Sequence, residues 1–207
     1  MNLVLITSVI NTLIPSVYSA AERMEQTLIS IKTVKDKIPN SYIVILEGSK
    51  LDDDKFNTIK NIVDELFYIN VSGLSKTIGE MTMLNTYFNC DEFSKRKHTI
   101  DSLCKLSGRY HLNNNFKFIK NDMCMVKKTD ISWSGKGTYD TRFYKIPKIL
   151  IDNYINNFKN LYDCIHKVQD IEHGFYEYEL IPNDKIEPLF QLGVSGNYGP
   201  TGEYVED

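Results

Sequence analysis

Leu3 to Ile10 is rich in Leu, Val and Ile without polar alternation, the pattern of a strand covered on both faces in a parallel sheet. Ser19 and Glu22 then form a capping-box pair, and Met24, Leu28, Ile31 and Ile38 recur at helical spacing until Pro39 and Asn40 end the run. Tyr42 to Leu46 is a second apolar run. Asp52 to Asp54 can cap a helix carrying Phe56, Ile59, Val63 and Leu66, and Phe67 to Val71 reads as a third short strand. A further helix starts near Ser75 and buries Ile78, Met81, Leu84 and Phe88, followed by a charged connection from Asp91 to His98. Strands alternating with amphipathic helices need right-handed crossovers, which give a parallel sheet with helices on both faces.

The pattern changes in the second half. Leu103 to Leu106, Phe116 to Ile119, Met123 to Val126, Ile131 to Trp133 and Arg142 to Ile146 are short strand candidates between Asn, Gly and Lys clusters, as in a smaller mixed or antiparallel part. Pro147 suits the first position of a long helix with Leu150, Tyr154, Phe158, Leu161, Ile165 and Val168 on one face. A short amphipathic segment spans Ile171 to Leu180. The glycine-rich tail LGVSGNYGPTGEYVED reads as an irregular loop or lid. We read one α/β domain over residues 1–207, with a nucleotide-binding half at 1–90 and an acceptor-side half at 91–207 that includes the C-terminal loop.

Composition narrows the class. With 42% apolar and 25% charged residues the chain matches a globular protein, and no stretch of about 20 apolar residues predicts a membrane span. A formal charge of -3 with no long basic run argues against nucleic acid as a partner. Cys90, Cys104, Cys124 and Cys164 are widely spaced without C-x-x-C, which fits free thiols in a reducing compartment and a cytoplasmic location. The apolar start lacks a basic flank, is broken by Thr7, Ser8, Asn11 and Thr12 and contains Pro15, so a strand explains it better than a secretory signal. The abundance of Asn, Lys and Ile fits an AT-rich genome, such as that of a virus, and the chain could be one module of a longer protein.

Chemistry is first limited by an absence: no glycine precedes Gly48, so neither G-x-G-x-x-G nor a Walker loop follows the first strand. Ligands of open α/β sheets bind at the carboxyl ends of the strands. The residues placed there are Thr7, Ser8 and Asn11, then Glu47, then Ser72 to Lys76: hydroxyls and an amide for a base, a carboxylate for base or ribose, a lysine for phosphate. The same residues also fit ordinary loop polars and caps. Tyr110, Tyr139 and Tyr198, in loops or beside glycines, are candidate platforms for sugar stacking. His98, His111 and His166 lack metal-ligand spacing.

The segments SKTIGE, CKLSGRY, YDTRFYKIP, IEHGFYE and LGVSG, in this element order, resemble small glycosyltransferases of the GT-A type, particularly short viral and bacterial members. The resemblance implies a nucleotide-diphospho-sugar transferase fold and transfer of a hexosyl or pentosyl group from a UDP- or GDP-sugar to a hydroxyl on a glycan or glycoprotein acceptor. It implies a nucleotide lying over Thr7, Ser8, Glu47 and Lys76, and a tail that closes over the donor. Where such enzymes carry Asp-x-Asp to bind a divalent metal, this chain has Ser107, Gly108, Arg109 and Tyr110, which leaves any manganese or magnesium site unassigned and points to reduced or absent metal dependence. Asp52, Asp53 and Asp54 satisfy the letters of the motif but sit before a helix and suit capping. Arg109 is then the best cation for the leaving diphosphate, with Lys76 and Arg142 behind it, or else Arg109 makes a structural salt bridge. The family's base, an acid opening a late helix, matches Glu172, with Asp170 and His173 as neighbours; a solvated acidic face is the alternative. The competing readings are a non-catalytic nucleotide-sugar or glycan binding module on the same fold, and a different nucleotide-using α/β enzyme.

Overall fold

The computed structural model describes residues 1–129, 137–168, 170–189, 191–198 and 201–207. Its central sheet has the order β3-β2-β1-β4-β8, built from β1 (Asn2–Ser8), β2 (Ser41–Glu47), β3 (Glu65–Tyr68), β4 (Ser102–Ser107) and β8 (Phe143–Pro147). The first four run parallel and β8 pairs antiparallel with β4. The chain is therefore a mixed α/β protein with a mostly parallel sheet flanked by helices. β4 pairs with β1 along its whole length, so residues on both sides of position 90 share one sheet.

Alternate residues of β1 enter opposite layers. Leu3 and Leu5 pack with α3 (Lys76–Phe88), α4 (Asp91–Arg96), α5 (Ile151–Asp163) and α6 (Ile171–Glu177). Val4 and Ile6 pack with α1 (Ala20–Lys37) and α2 (Asp53–Lys60). Coverage of both faces is why the strand shows no polar alternation. Ser19 caps α1 reciprocally with Glu22: Ser19 Oγ accepts from Glu22 N at 3.3 Å and the Glu22 carboxylate from Ser19 N at 2.7 Å.

Several boundaries differ from the sequence reading. Helix α2 stops at Lys60, because Asp64 is captured by the sheet edge through Asp64 N to Ile43 O at 3.1 Å and Ile43 N to the Asp64 carboxylate at 2.7 Å. Leu66 consequently joins β3. The charged connection after α3 contains the short helix α4. Phe116 to Ile119 forms no strand: the Ile119 and Asn121 carbonyls accept from Lys145 Nζ at 2.7 and 2.9 Å instead of entering a ladder. Of Met123 to Val126, Cys124 and Met125 make isolated bridges only. Ile131 to Trp133 lies outside the described residues. Pro147 ends the edge strand β8, where a missing N–H is tolerated, and α5 begins only after a 3-10 turn at Lys148–Leu150.

The tail departs most from expectation. Strands β9 (Val194–Asn197) and β10 (Tyr204–Glu206) form a hairpin, and β9 pairs with β5 (Tyr110–Leu112) in a three-stranded antiparallel sheet. Gly193, at φ 75°, passes so close to Phe116 that an added Cβ would stand 2.3 Å from its Cα. Its glycine serves close packing in a left-handed conformation. A second small ladder joins β6 (Lys128–Thr129) and β7 (Thr138–Tyr139).

Candidate functional site

The carboxyl ends of β1 and β4 and the start of α3 enclose a cleft of about 320 Å³. Thr7 and Ser8 line it from β1, Arg23 and Thr27 from α1, Ser75, Lys76 and Glu80 from the start of α3, and Ser107, Gly108 and Arg109 from the end of β4. Val71, Leu74, Met83, Ile14 and Pro15 add apolar wall. Gly108 permits the close approach of the β4 end to β1: its N–H donates to Thr7 O at 2.8 Å, and a Cβ would meet that oxygen at 3.0 Å.

Three cations face this cleft. Arg23 donates to Val9 O at 3.0 Å and to Ser16 Oγ at 2.6 Å, and its Nε is buried without a partner among the described residues. Burial pushes its pKa down, and the Arg109 guanidinium adds to that, against a smaller opposing pull from Glu47. Arg109 makes no side-chain hydrogen bond or ion pair among the described residues, so the structural salt bridge considered for it finds no carboxylate there. Lys76 stands half-exposed on the wall and bonds the Glu172 carboxylate at 3.2 Å. Burial opposes its charge, but Glu172 and Glu80 together hold its pKa above the ordinary lysine value. Two guanidiniums that disfavour one another in a concave site make a ready anion receptor.

Beneath the wall is a buried charge pair. Lys105, 1% exposed in the middle of β4, pairs with Glu80 and donates to Ser107 Oγ and Thr141 O, both at 2.7 Å. Burial depresses the Lys105 pKa, while Glu80 works in the opposite sense. Thr141 Oγ1 in turn donates to Glu172 Oε1 at 2.9 Å. Glu172 opens α6, where Asp170 is the N-cap: its carboxylate accepts from His173 N at 2.8 Å and contacts His173 Nδ1 at 2.7 Å. Asp170 and His173 therefore brace the helix start that carries Glu172.

The structure thus brings Thr7, Ser8, Lys76 and Arg109 to one cleft and sets Glu172 against Lys76. It does not bring the others. Glu47 is 1% exposed and its Oε1 accepts from Ile10 N and Ser49 N, both at 3.0 Å, and from Ser49 Oγ. The expected contact of Glu47 with base or ribose is replaced by bracing of the loop after β1. Asn11 donates to Lys50 O at 2.6 Å and lines an open hollow that adjoins the cleft across Thr12, Ile14, Pro15 and Ser16 without lining the cleft itself. Arg142, expected behind Arg109, is held by Asp140 and by Asp207 at 3.1 Å and does not line the cleft. Tyr110 and Tyr139 are buried, which removes them as sugar platforms, whereas Tyr198 is exposed. Asp52 caps α2, accepting from Lys55 N at 2.9 Å, and Asp53 and Asp54 occupy its first turn.

Sequence reasoning missed Arg23, Glu80, Lys105 and Thr141. Arg23 carried a signal, since a cation in the first turn opposes the helix dipole, and so did Lys105, a lysine inside an apolar strand. Thr141 lies in the segment YDTRFYKIP, as Glu80 does in SKTIGE, but its residue type alone suggested no role.

The fold and cleft define an α/β protein with a cation-lined polar site at the carboxyl ends of its parallel strands. No family model matches the chain, and no curated protein matches it. Among solved structures, the apo-form glycosyltransferase GlyE from Streptococcus pneumoniae TIGR4 aligns over 91% of this chain at 12% identity with a TM-score of 0.49. The chain spans 44% of that protein's length. A likeness at this level assigns neither activity nor residues.

Proposed function

We propose that the protein is a glycosyltransferase that takes a nucleotide-diphosphate sugar, a UDP- or GDP-sugar, and transfers its sugar to a hydroxyl of a glycan or glycoprotein acceptor. The observation that carries this reading is the pairing of Arg23 and Arg109 in one cleft with no carboxylate bonded to either among the described residues, with Lys76 on the same wall. The motif resemblance and the strand-end position support the same reading.

The diphosphate lies against Arg23, Arg109 and Lys76, and the base against the apolar wall near Val71 and Leu74. Glu172 takes the proton of the acceptor hydroxyl as that oxygen bonds to the anomeric carbon. The bond from that carbon to the diphosphate breaks, and the departing charge falls on the guanidiniums. The anionic donor competes with Glu172 for Lys76, so donor binding releases the carboxylate for its work as base.

A divalent metal, which the GT-A resemblance implies, does not fit these residues. The place for its ligands holds Ser107, Gly108 and Arg109, and no group of three or more His, Cys, Asp or Glu side chains could hold a metal ion among the described residues. Asp52 is committed to its cap.

The test is a thermal-shift screen against UDP-, GDP-, dTDP- and CMP-sugars with and without manganese, followed by donor hydrolysis. A shift with a nucleotide sugar and slow release of free sugar supports the transferase. Binding without hydrolysis or transfer favours a non-catalytic binding module, and a shift with nucleotides alone favours another nucleotide-using enzyme.

A further inference from the structure

Lys105 is a buried lysine in the middle of the central sheet, and burying an ion pair carries a desolvation cost that a pair of well-packed neutral side chains avoids. Its ammonium forms an ion pair with Glu80 and donates to Ser107 Oγ and Thr141 O. Each partner leads to the cleft. Glu80 and Ser107 line it, and Thr141, itself buried, bonds Glu172 Oε1 at 2.9 Å, the same oxygen that Lys76 holds at 3.2 Å. One ammonium therefore ties together α3, the end of β4, the turn before β8 and, through Thr141, the first turn of α6. Nothing else in the core carries a charge pair of this burial among the described residues, since the other pairs leave at least one partner partly exposed.

We propose that Lys105 and Thr141 are positioning residues: Lys105 fixes the Thr141 backbone, and the Thr141 hydroxyl holds the Glu172 carboxylate at the angle from which it accepts the proton of the acceptor. This rests on the reading of Glu172 as the base. Lys76 lets go of Glu172 when a diphosphate arrives, and Thr141, bonded from the other side, keeps the freed carboxylate in place. A misplacement of about 1 Å at a reacting group can lower a rate about 100-fold, so a single hydroxyl bond matters here.

Two measurements test it. The first needs no substrate: a double-mutant cycle on the whole protein between Thr141→Val and Glu172→Ala, read by urea unfolding. Coupling of about threefold or more in the unfolding constant is expected, and additivity overturns the proposal. The second uses the nucleotide sugar that gives the largest shift in the screen. Thr141→Val should lower kcat by about 10- to 100-fold with the donor KM within about twofold, and Thr141→Ser should restore most of it. Because Lys105→Met alone would strand the Glu80 charge and could unfold the protein, it is combined with Glu80→Gln. That pair should fold and show the same kcat loss. Undiminished kcat in Thr141→Val, or equal loss in Thr141→Ser and Thr141→Val, overturns the proposal. If the wild type turns over none of the donors, the transferase reading fails and the unfolding cycle alone decides the positioning network.

Discussion

Lys76 and Glu172, 96 residues apart in the chain, meet at 3.2 Å where the start of α3 faces the start of α6. Each is the other's ion-pair partner, and under the proposed reading the donor diphosphate competes for the lysine. Glu172→Gln should therefore lower transfer by about 10²- to 10⁴-fold, the usual contribution of a general base. Nucleotide affinity should stay the same or tighten, because the variant removes the carboxylate that competes for Lys76. Titration calorimetry with UDP and GDP alongside turnover checks both parts, and a loss of affinity matching the loss of rate would put Glu172 on the donor instead.

The two guanidiniums make a sharper case. Burial, and after it the Arg109 guanidinium, push the Arg23 pKa down, so an anion between the two relieves a mutual repulsion. Arg109→Ala and Arg23→Ala should each lower turnover by about 100-fold, comparable to loss of one pre-aimed donor to a developing charge. Circular dichroism should remain that of the wild type. Nucleotide affinity should fall in both variants and become less sensitive to salt.

If Arg23, Arg109 and Lys76, rather than a metal, offset the charge of the leaving diphosphate, chelation should leave most of the activity. The measurement is turnover in EDTA and after adding manganese. Complete loss on chelation with full recovery in manganese would return a metal to the diphosphate.

The strand-helix alternation up to α3 was legible because β1 and β2 are apolar on both faces, a pattern that does not depend on tertiary detail. The end of α2 was not, since Val63 and Leu66 continue its apolar spacing and only the capture of Asp64 by Ile43 stops the helix. Pro147 suits a helix start and an edge-strand end equally, and pairing with Ser102 decides it. The glycines of the tail suggest mobility in the sequence, whereas Gly193 is there to pass Phe116. At the site, strand-end placement found Thr7, Ser8 and Lys76, while Arg109 was reached only through the motif resemblance. Glu47 was misjudged because strand-end position does not reveal whether a carboxylate faces the cleft or the loop above it. Thr141 acquires its role only from contacts made across the fold.

The three consecutive aspartates offer a control outside the cleft. Asp52 accepts from Lys55 N at 2.9 Å and also pairs with the Lys55 side chain, and the hydrogen bonds from Lys55 hold its carboxyl below the usual range. Asp52→Ala removes an N-cap and should lower Tm by about 2 to 4 °C. Turnover and its response to manganese should not change. A variant with normal Tm but lost activity would place this run in the chemistry after all.

Glu47 has a pH dependence opposite to that of most carboxylates. Burial pushes its pKa above the ordinary value, and the hydrogen bonds from Ser49 and Ile10 only partly offset this. A raised carboxyl keeps its proton longer in the folded state than in the unfolded chain. As pH rises from the unfolded pKa, near 4.5, toward the folded one, the unfolded state binds fewer protons, so this group's contribution to stability falls. Glutamine stays neutral, and its carbonyl can still accept from Ile10 N and Ser49 N. Relative to the wild type, Glu47→Gln should therefore gain stability as pH rises through that window, whatever its offset at pH 4. Urea unfolding of both proteins at pH 4 and pH 7.5 gives the difference directly. If the variant instead loses ground at the higher pH, the ionised carboxylate is what holds the loop after β1, and the internal bonds outweigh burial.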